Sequence, residues 1–452
     1  GDRVALVADA GLVYFDVYLA AAWIGAAVVP VNTRLAGPEG DYIVGHAEPA
    51  LAVADAAHLD LLPAGAPFPV VDCGSDAYAE MAAGDPVAVD AEDRDVALII
   101  YTSGTTGRPK GVCLTQAALA FNALASGVGQ RFVPDDVFLS LTPLYHAACA
   151  TRVYTMLLDG QCNLVLPRFD EARALRAMEE HGVTSTLVVP VQLRRLVECP
   201  SFAATDLSRL RLVMYGAAPT DDGLIERARA AFGKVLHQGY GLSEAVTNLT
   251  AFGPEDHELI DERPELLGSC GRVTPGVAIE LRDGDGRVVP DGEVGEIWVR
   301  TDKVMAGYWR DPAATAETVV DGWLRTGDLA RRTADGYFFI AGRAKDMLIS
   351  GGVNIYPLEI EAVLYEHPSV VDAGVIGVPD ERWGEVPAAF VTLRPGAAWD
   401  EAEVRAFCEQ RLSRIKVPSR FTVIDEFPRT ENGKIRKRDL AVSDPDPTVA
   451  AR

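Results

Sequence analysis

Short apolar runs alternate with segments of helical composition along the first half of the chain. Apolar runs of this length, rich in β-branched residues, predict buried strands, whereas longer segments with helical spacing predict helices. The predicted strands lie at 4–7, 26–31, 51–55, 70–73, 96–100, 137–141, 185–189 and 210–215, and the predicted helices at 12–24 and 171–181. Because strands that alternate with helices form parallel sheets covered by helices, the pattern predicts an α/β fold with a large N-terminal domain of mostly parallel sheets.

The pattern changes near Gly268. Strands at 277–281 and 295–299, with the turn residues Asp283, Gly284, Asp285 and Gly286 between them, are typical of antiparallel hairpins. A further short strand is predicted at 337–341. This part predicts a small β-barrel-like subdomain of the large domain.

A compact α+β unit is predicted after Gly342. Pro357 stands at the first position of a helix that His367 and Pro368 end. The predicted elements are helices at 357–366 and 401–412 and strands at 370–378, 388–393 and 422–424. We therefore predict a large domain at 1–342, a small mobile C-terminal domain at 343–440 and a polar, disordered tail at 441–452.

Composition and charge narrow the function classes. The net charge of −23, from 42 basic and 65 acidic residues, argues against nucleic acid as a partner. No uncharged apolar run of about 18 residues is present, so no membrane span is predicted, and there is no basic and apolar leader. The chain starts at Gly1 directly before a strand, and we interpret its N-terminus as truncated.

Cysteine usage indicates a reducing environment. The seven cysteines are scattered, odd in number and form no C-x-x-C pair. Buried thiols are therefore expected rather than disulfides or zinc sites, and the predicted location is the cytoplasm.

One loop carries the clearest chemical signal. After the buried strand at 96–100, the sequence YTSGTTGRPKGV contains a run of only Thr, Ser and Gly, formed by Thr102, Ser103, Gly104, Thr105, Thr106 and Gly107. Glycines let backbone N–H groups turn toward one point, the hydroxyls add donors, and Lys110 adds a positive charge, so the loop suits a polyphosphate. Its spacing is not that of a Walker A loop. A flexible linker is the alternative, but its place against a buried strand favours the phosphate site.

A second stretch, QGYGLSE, suits the rest of a nucleotide. Tyr240 between two glycines can serve as a shelf for a purine. Ser243 and Glu244 offer a hydroxyl and a carboxylate for a phosphate and its Mg²⁺. An ordinary turn is the alternative. The small residues Gly216, Ala217 and Ala218, which follow a buried strand, permit close approach of a flat ligand.

Three later residues are weak signals of function when each is taken alone. Asp328, at a loop, is an expected partner for ribose hydroxyls. Lys345 lies in a charged junction after Gly342 that is a plausible hinge. Lys434 follows the turn formed by Asn432 and Gly433 and is predicted at an exposed tip, where a solvated lysine is the alternative.

The ordered set of YTSGTTGRPKGV, QGYGLSE, TGD, GRAKD, SGGVNIYPLEIE and NGKIRK resembles the adenylate-forming superfamily. That superfamily contains acyl- and aryl-CoA synthetases, adenylation domains of peptide synthetases and beetle luciferases. The motif sequences of this chain are most similar to those of fatty acyl-CoA ligases. The resemblance covers nearly the whole chain, and it implies that the large domain binds ATP and a carboxylic acid.

The resemblance implies a role for each matching position. Lys434, Thr105, Glu244 and His146 would be catalytic, with Glu244 also holding Mg²⁺ and Lys345 as the hinge. Gly351 and Gly352 would line the channel for the thiol of coenzyme A. The nucleotide would be bound by Thr102, Ser103, Gly104, Thr106, Gly107, Lys110, Gly216, Ala217, Ala218, Gln238, Gly239, Tyr240, Gly241, Ser243, Asp328, Ile340 and Arg343.

The acid pocket is less defined by the sequence. His146 lies in a P-x-x-H segment that is similar to one near the family's acyl site, with a packing histidine as the alternative. Val189, Tyr215, Tyr240 and residues 245–249 are predicted walls. No Asp or Arg is placed to bind an amino or second carboxyl group, which favours a fatty, alicyclic or aryl acid.

The predicted activity is an ATP-dependent acyl-CoA synthetase that forms acyl-AMP and pyrophosphate and then an acyl-CoA. The alternatives are a stand-alone enzyme that loads an acyl carrier protein and a non-enzymatic adenylate-binding protein. The presence of Lys110, Glu244, Asp328, Arg343 and Lys434 argues against the latter.

Overall fold

The computed structural model describes residues 1–85, 87, 89–102, 108–429 and 434–442. Within this part no helix is both long and apolar enough to cross a membrane. The loop residues Ser103, Gly104, Thr105, Thr106 and Gly107 and the turn residues Asn432 and Gly433 lie outside it, as does the tail after Val442.

The strands are short and mostly buried. They are β1 (Arg3–Val7), β2 (Ala27–Pro30), β3 (Leu51–Ala54), β4 (Val70–Asp72), β5 (Val96–Thr102), β6 (Lys110–Thr115), β7 (Val137–Ser140), β8 (Cys162–Val165), β9 (Ser185–Val188), β10 (Leu212–Gly216), β11 (Leu236–Leu242), β12 (Thr247–Phe252), β13 (Arg272–Val273), β14 (Ala278–Arg282), β15 (Val294–Arg300), β16 (Gly307–Tyr308), β17 (Val319–Val320), β18 (Trp323–Arg332), β19 (Phe338–Arg343), β20 (Leu348–Ser350), β21 (Val353–Ile355), β22 (Val370–Asp380), β23 (Gly384–Leu393) and β24 (Arg420–Val423).

Along the sequence, most helices lie between strands of the first two sheets. They are α1 (Leu12–Trp23), α2 (Gly37–Ala47), α3 (Asp76–Ala82), α4 (Gln116–Gln130), α5 (Ala147–Asp159), α6 (Glu171–Glu180), α7 (Pro190–Glu198), α8 (Asp222–Phe232), α9 (Pro254–Leu259), α10 (Pro312–Thr318), α11 (Pro357–Tyr365), α12 (Glu401–Glu409) and α13 (Lys437–Val442).

The first two sheets are parallel at their centres. The first has the order β16-β6-β5-β2-β1-β3-β4 and the second the order β13-β12-β11-β10-β9-β7-β8. In each sheet, the strands that carry the nucleotide motifs pair in antiparallel fashion: β5 with β6 in the first sheet and β11 with β12 in the second. The phosphate-loop and QGYGLSE motifs therefore lie on hairpins rather than on strand-to-helix turns.

The remaining two sheets are mainly antiparallel. The third combines β14, β15, β18 and β17, with β19 paired to β18, and occupies the place of the predicted barrel-like subdomain. The fourth combines β21, β20, β23 and β22, with β24 added parallel to β23. It forms the α+β unit together with α11 and α12.

Apolar packing separates these parts. One hydrophobic core joins the first three sheets. Its buried members include Leu98, Leu249 and Val299. Residues of the fourth sheet and its helices, such as Ile360 and Val391, form another core. Burial of each such side chain contributes about 1.5–3 kcal/mol, so each part has its own source of stability.

The strand and helix predictions agree with the structure in position. Other strands were not predicted, among them β6, β8, β11, β12 and β18. β6 begins at Lys110, inside the sequence interpreted as a loop. Helix α13 also extends over the first two residues of the predicted disordered tail. All seven cysteines are free thiols, five of them buried, as expected.

Candidate active site

The strands that flank the predicted phosphate loop pair with each other up to its two ends. Thr102 pairs with Lys110 at the end of the β5–β6 ladder. The Lys110 ammonium lies 5.0 Å from the ring centroid of Tyr308. The ladder thus places both ends of the loop, and a positive charge, at one edge of the first sheet.

Glycines in the second sheet are required by close backbone packing. A Cβ at Gly241 would lie 1.7 Å from the Thr247 carbonyl oxygen, and one at Gly216 would lie 2.2 Å from the Gly239 carbonyl oxygen. No side chain fits at these distances, and Gly216 also has a φ of +159°. Gly216 and Gly241 are therefore needed to bring β10, β11 and β12 together, in addition to any ligand contact.

Ala217 follows Gly216 in the left-handed region with a φ of 66°. Such a conformation is uncommon for a residue with a side chain and is often found at functional sites. Ala218 is half-buried beside it. The predicted adenine-flanking segment is thus held in an unusual backbone shape at the end of β10.

Tyr240 connects the second and third sheets. Its hydroxyl donates to Asp328 Oδ2 at 2.8 Å, and the Arg343 Nε atom lies 2.9 Å from Asp328 Oδ1. Asp328 and Arg343 face each other in the β18–β19 ladder. Burial, and the negative charge of Asp328, raise the pKa of Tyr240 well above its usual value, so the hydroxyl stays a donor. Three predicted nucleotide residues from distant parts of the sequence are thereby brought together.

Glu244 lies in a short 3-10 turn, Ser243–Ala245, directly after β11. Tyr308 donates its hydroxyl to Glu244 Oε1 at 3.0 Å, and the Met305 amide donates to the Glu244 carbonyl at 2.8 Å. Burial and the charge of Glu244 raise the Tyr308 pKa. Tyr308 contacts both Glu244 and Lys110 and was not predicted, because an isolated Gly-Tyr pair gives no signal in the sequence.

The turn that carries Glu244 is strained. Val246 and Thr247 both adopt positive φ, 48° and 72°. For β-branched residues this region is a genuine outlier, and each such residue costs on the order of 1–3 kcal/mol. The surrounding structure must therefore hold the turn in place.

Lys434 reaches the same region from the small unit. Crowding by protein atoms, and then the positive charge of Arg343, lower the pKa of Lys434, while Asp328 and Glu244 act in the opposite direction. The side chain keeps contact with solvent, which moderates this shift. An antiparallel bridge joins Arg429 to Ile435, the residue directly after Lys434. The predicted catalytic lysine thus lies within electrostatic range of the predicted ribose and metal residues.

The junction after β19 is a second 3-10 turn, Ala344–Asp346. Lys345 in this turn has a lowered pKa because of partial burial, which Asp346 counteracts. Ile340 lies five residues before Lys345 and is half-buried against the main core. The predicted hinge therefore follows directly from the strand that ends with Arg343.

Gly351 and Gly352 form the two-residue connection between β20 and β21. Both have positive φ, 56° and 81°, as tight hairpin connections require. A Cβ at Gly351 would also lie 2.7 Å from the Trp383 ring. The turn itself accounts for both glycines, and their predicted role beside a thiol channel stays a prediction.

His146 precedes α5, with its ring 4.7 Å from that of Tyr145. Burial and the charge of Arg34 lower the His146 pKa to about 4, so the ring is neutral at neutral pH. Val189 and Tyr215, predicted as walls of the acid pocket, are nearly fully buried. The Tyr215 hydroxyl lies 3.4 Å from His257 Nε2, inside the core.

Comparison with known families identifies the class. The AMP-binding enzyme family matches residues 1–309, and the C-terminal domain of AMP-binding enzymes matches residues 359–434. The chain therefore belongs to the AMP-binding enzyme family. The expected membership of the adenylate-forming superfamily is confirmed.

Several relatives are ligases of carboxylic acids. A medium/long-chain-fatty-acid–CoA ligase from Mycobacterium tuberculosis is 40% identical over 78% of this chain and 62% of its own length. An indoleacetate–CoA ligase from Aromatoleum aromaticum is 37% identical over 93% of this chain and 84% of its own. A fatty acid–acyl-carrier-protein ligase from Streptomyces coeruleorubidus is 34% identical over 97% and 86%.

A solved structure supports the same fold. The ATP-bound MatB from Rhodopseudomonas palustris superposes with a TM-score of 0.89 at 33% identity, covering 97% of this chain and 88% of that one. The predicted two-domain α/β fold and the predicted class of acid–thiol ligase are thereby confirmed. The roles of individual residues stay predictions.

Proposed function

We propose that this ligase activates a carboxylic acid with ATP as an acyl-adenylate and then transfers the acyl group to the thiol of coenzyme A. The observation that supports this most directly is that the charges of Arg343, Asp328 and Glu244 all act on the pKa of Lys434. A lysine from the small domain next to the nucleotide residues of the large one is the arrangement that adenylation needs.

In the first step an oxygen of the acid attacks the α-phosphorus of ATP. The acyl–oxygen–phosphorus bond forms, the bond to the β-phosphate breaks, and pyrophosphate leaves. Both reactants are anions, so positive charge is required where they meet. We assign this role to Lys434, with Lys110 and the loop at 102–110 holding the departing phosphates. Asp328 would accept from the ribose hydroxyls.

The residues present fit a magnesium ion at Glu244. Its carboxylate is half-buried and held at one oxygen by Tyr308, and carboxylates are preferred ligands of Mg²⁺. When bound, Mg²⁺ would offset the charge of the phosphates. The chain's own part is to hold the Glu244 carboxylate in place through Tyr308, whose ring also lies 5.0 Å from the Lys110 ammonium.

In the second step the thiol attacks the acyl carbonyl carbon, and AMP leaves. Lys434 has no task in this step, and we propose that the small domain, residues 343–440, turns about Lys345 to make room. Gly351 and Gly352 would then lie beside the thiol. An acyl carrier protein is the alternative acceptor, supported by the relative that is named for that activity.

The acid is proposed to be fatty, alicyclic or aryl. The predicted walls Val189, Ala245 and Val246 are apolar and buried, and His146 is held neutral. A neutral imidazole can orient a carboxylate by one hydrogen bond without neutralising it.

The test is AMP release with a panel of acids of different chain length and ring content, with coenzyme A or a holo carrier protein as acceptor. We expect AMP release to depend on the acid and on coenzyme A. Faster turnover with the carrier protein than with coenzyme A would favour the alternative acceptor. Adenylation would be refuted if none of the acids supports exchange of pyrophosphate into ATP.

A further inference from the structure

Lys303 is buried in the interior of the large domain with only 1% of its surface exposed. It lies between β15 and β16, in a segment that contacts residues 244 and 248 of the β11–β12 region through Met305 and Lys303. Its ammonium donates to the main-chain carbonyl of Asn248. The Thr274 hydroxyl donates to the same carbonyl at 3.1 Å.

Asn248 is the residue at which the strained turn ends. Glu244 lies in the turn, Val246 and Thr247 follow with positive φ, and Asn248 then pairs with Gly241 in the hairpin ladder. A backbone shape that the side chains disfavour persists only where other contacts fix both of its ends. The Asn248 carbonyl is one such end.

The same segment also holds the other end. Met305 N donates to the Glu244 carbonyl, and the Tyr308 hydroxyl donates to the Glu244 carboxylate. Residues 303–308 thus fix the turn at three points, two at Glu244 and one at Asn248. Within this segment, the contact beyond the strained residues comes from Lys303, at the Asn248 carbonyl that the Thr274 hydroxyl also contacts.

We propose that Lys303 is a positioning residue for Glu244, acting through the Asn248 carbonyl and the strained turn between them. This inference rests on the proposed function, in which Glu244 serves the phosphates of ATP. Lys303 touches neither substrate nor metal, and its task is to keep the turn from relaxing.

A buried lysine is otherwise a costly choice. Burial lowers the Lys303 pKa to about 8, which reflects the loss of water around its ammonium. An apolar residue would fill this interior position without that cost, but it would leave the Asn248 carbonyl with the Thr274 hydroxyl as its side-chain donor. The cost of burying the Lys303 ammonium is explained if its contact with the Asn248 carbonyl has a function.

The test compares Lys303→Met, which keeps the length and removes the donor, with the full chain and with Lys303→Arg, which keeps a donor. Residues that orient a metal ligand typically change affinity or activity about 10–100-fold when altered. We expect Lys303→Met to lower the rate of acid-dependent pyrophosphate exchange by about 10-fold or more. The Mg²⁺ concentration for half-maximal rate should rise, while thioester formation from pre-made acyl-AMP stays within about twofold of the unaltered protein.

A binding measurement separates this role from a loss of chemistry. Calorimetric titration of ATP should show a smaller gain in affinity on addition of Mg²⁺ for Lys303→Met than for the unaltered protein, with Lys303→Arg in between. Lys234→Met is the matched control, because Lys234 is exposed and pairs with Glu258 at the surface. It should leave both measurements unchanged.

Two further variants keep the inference testable if Lys303→Met does not fold. Thr274→Val removes the other donor to the same carbonyl and should shift the Mg²⁺ dependence in the same direction by a smaller factor. Thr247→Gly removes the strain at one residue and should partly restore exchange in the Lys303→Met background. Unchanged Mg²⁺ dependence in Lys303→Met, or in Thr274→Val if the former is unfolded, would overturn the inference, whereas an inactive unaltered protein would instead refute the proposed function.

Discussion

The Lys437 ammonium lies 2.7 Å from Glu361 Oε1, and the same oxygen accepts the Val375 amide at 2.7 Å. Glu361 is nearly fully buried in α11, and Lys437 begins α13, three residues after Lys434. The ion pair therefore joins the segment that carries Lys434, the proposed catalytic lysine, to a helix and a strand of the small domain.

Glu361→Ala should destabilise the small domain. Removing one partner of a buried ion pair leaves the other without compensation and typically costs about 3–5 kcal/mol. We expect the unfolding transition of this domain to shift to lower denaturant and adenylation to slow. Glu401→Ala, which removes an exposed pair with Arg405, is the control and should cost about 1 kcal/mol or less. Equal costs in the two variants would show that the buried pair adds nothing.

Lys434→Ala should separate the two half-reactions. Acid-dependent pyrophosphate exchange should fall by orders of magnitude, since the charge that offsets two anions is lost, as expected for electrostatic stabilisation. Thioester formation from pre-made acyl-AMP and coenzyme A should be largely retained. Lys234→Ala serves as the surface control. An equal loss in both half-reactions would contradict the assignment.

The Tyr240–Asp328–Arg343 contacts predict a nucleotide effect. Asp328→Ala removes the proposed ribose acceptor and the partner of Arg343, and we expect the Kd of ATP to rise by about 10-fold or more. Tyr240→Phe removes one hydroxyl donor to Asp328 and should have a smaller effect. Tyr337→Phe removes a comparable hydroxyl contact, 2.7 Å from Asp256 and away from this site, and should leave the Kd unchanged. Calorimetry of ATP binding distinguishes these outcomes.

Buried histidines predict how stability depends on pH. Burial lowers the pKa of His146 and His237 to about 4 and that of His257 to about 3, with Arg229 adding to the last. The unfolded chain, with a pKa near 6.5, therefore binds more protons than the folded one below that pH. The contribution of these histidines to the free energy of unfolding is fully present above about pH 6.5. It falls as the pH drops toward 4, by up to about 1.4 kcal/mol per pH unit for each histidine.

Thermal unfolding between pH 7.5 and 4.5 measures this dependence. His257→Gln should make the curve of Tm against pH less steep, whatever its effect on Tm at pH 7.5. His181→Gln, at an exposed position, should leave the slope unchanged. A slope that is the same in all three proteins would contradict the assignment.

Local patterns explain how far the sequence could predict the structure. The alternation of apolar runs and helical segments predicted β1 to β4 and the change to antiparallel pairing near Gly268, because strand burial leaves a direct trace in composition. Tyr240, Asp328 and Arg343 could be grouped only by the resemblance of their motifs, since they meet through the pairing of distant strands. The hydrogen bonds among them required the structure.

Other features leave no local trace. Val246 and Thr247 are residues that favour strands, yet the tight approach of Thr247 to Gly241 places them in a strained turn. Lys303 is a lysine that any sequence pattern would place at the surface, yet it is buried and donates to the Asn248 carbonyl. Both result from contacts between strands or segments that are set by the tertiary structure, which no short stretch of sequence encodes.

The β18–β19 ladder ends at Arg343, and the turn with Lys345 begins at the next residue. The residue proposed to bind ribose is thus also the fixed end of the proposed pivot. A nucleotide that pulls on Arg343 would stiffen the root of the linker, and its departure would release it. We therefore expect the timing of domain rotation to follow the occupancy of the ribose site, with AMP acting as a brake until it leaves.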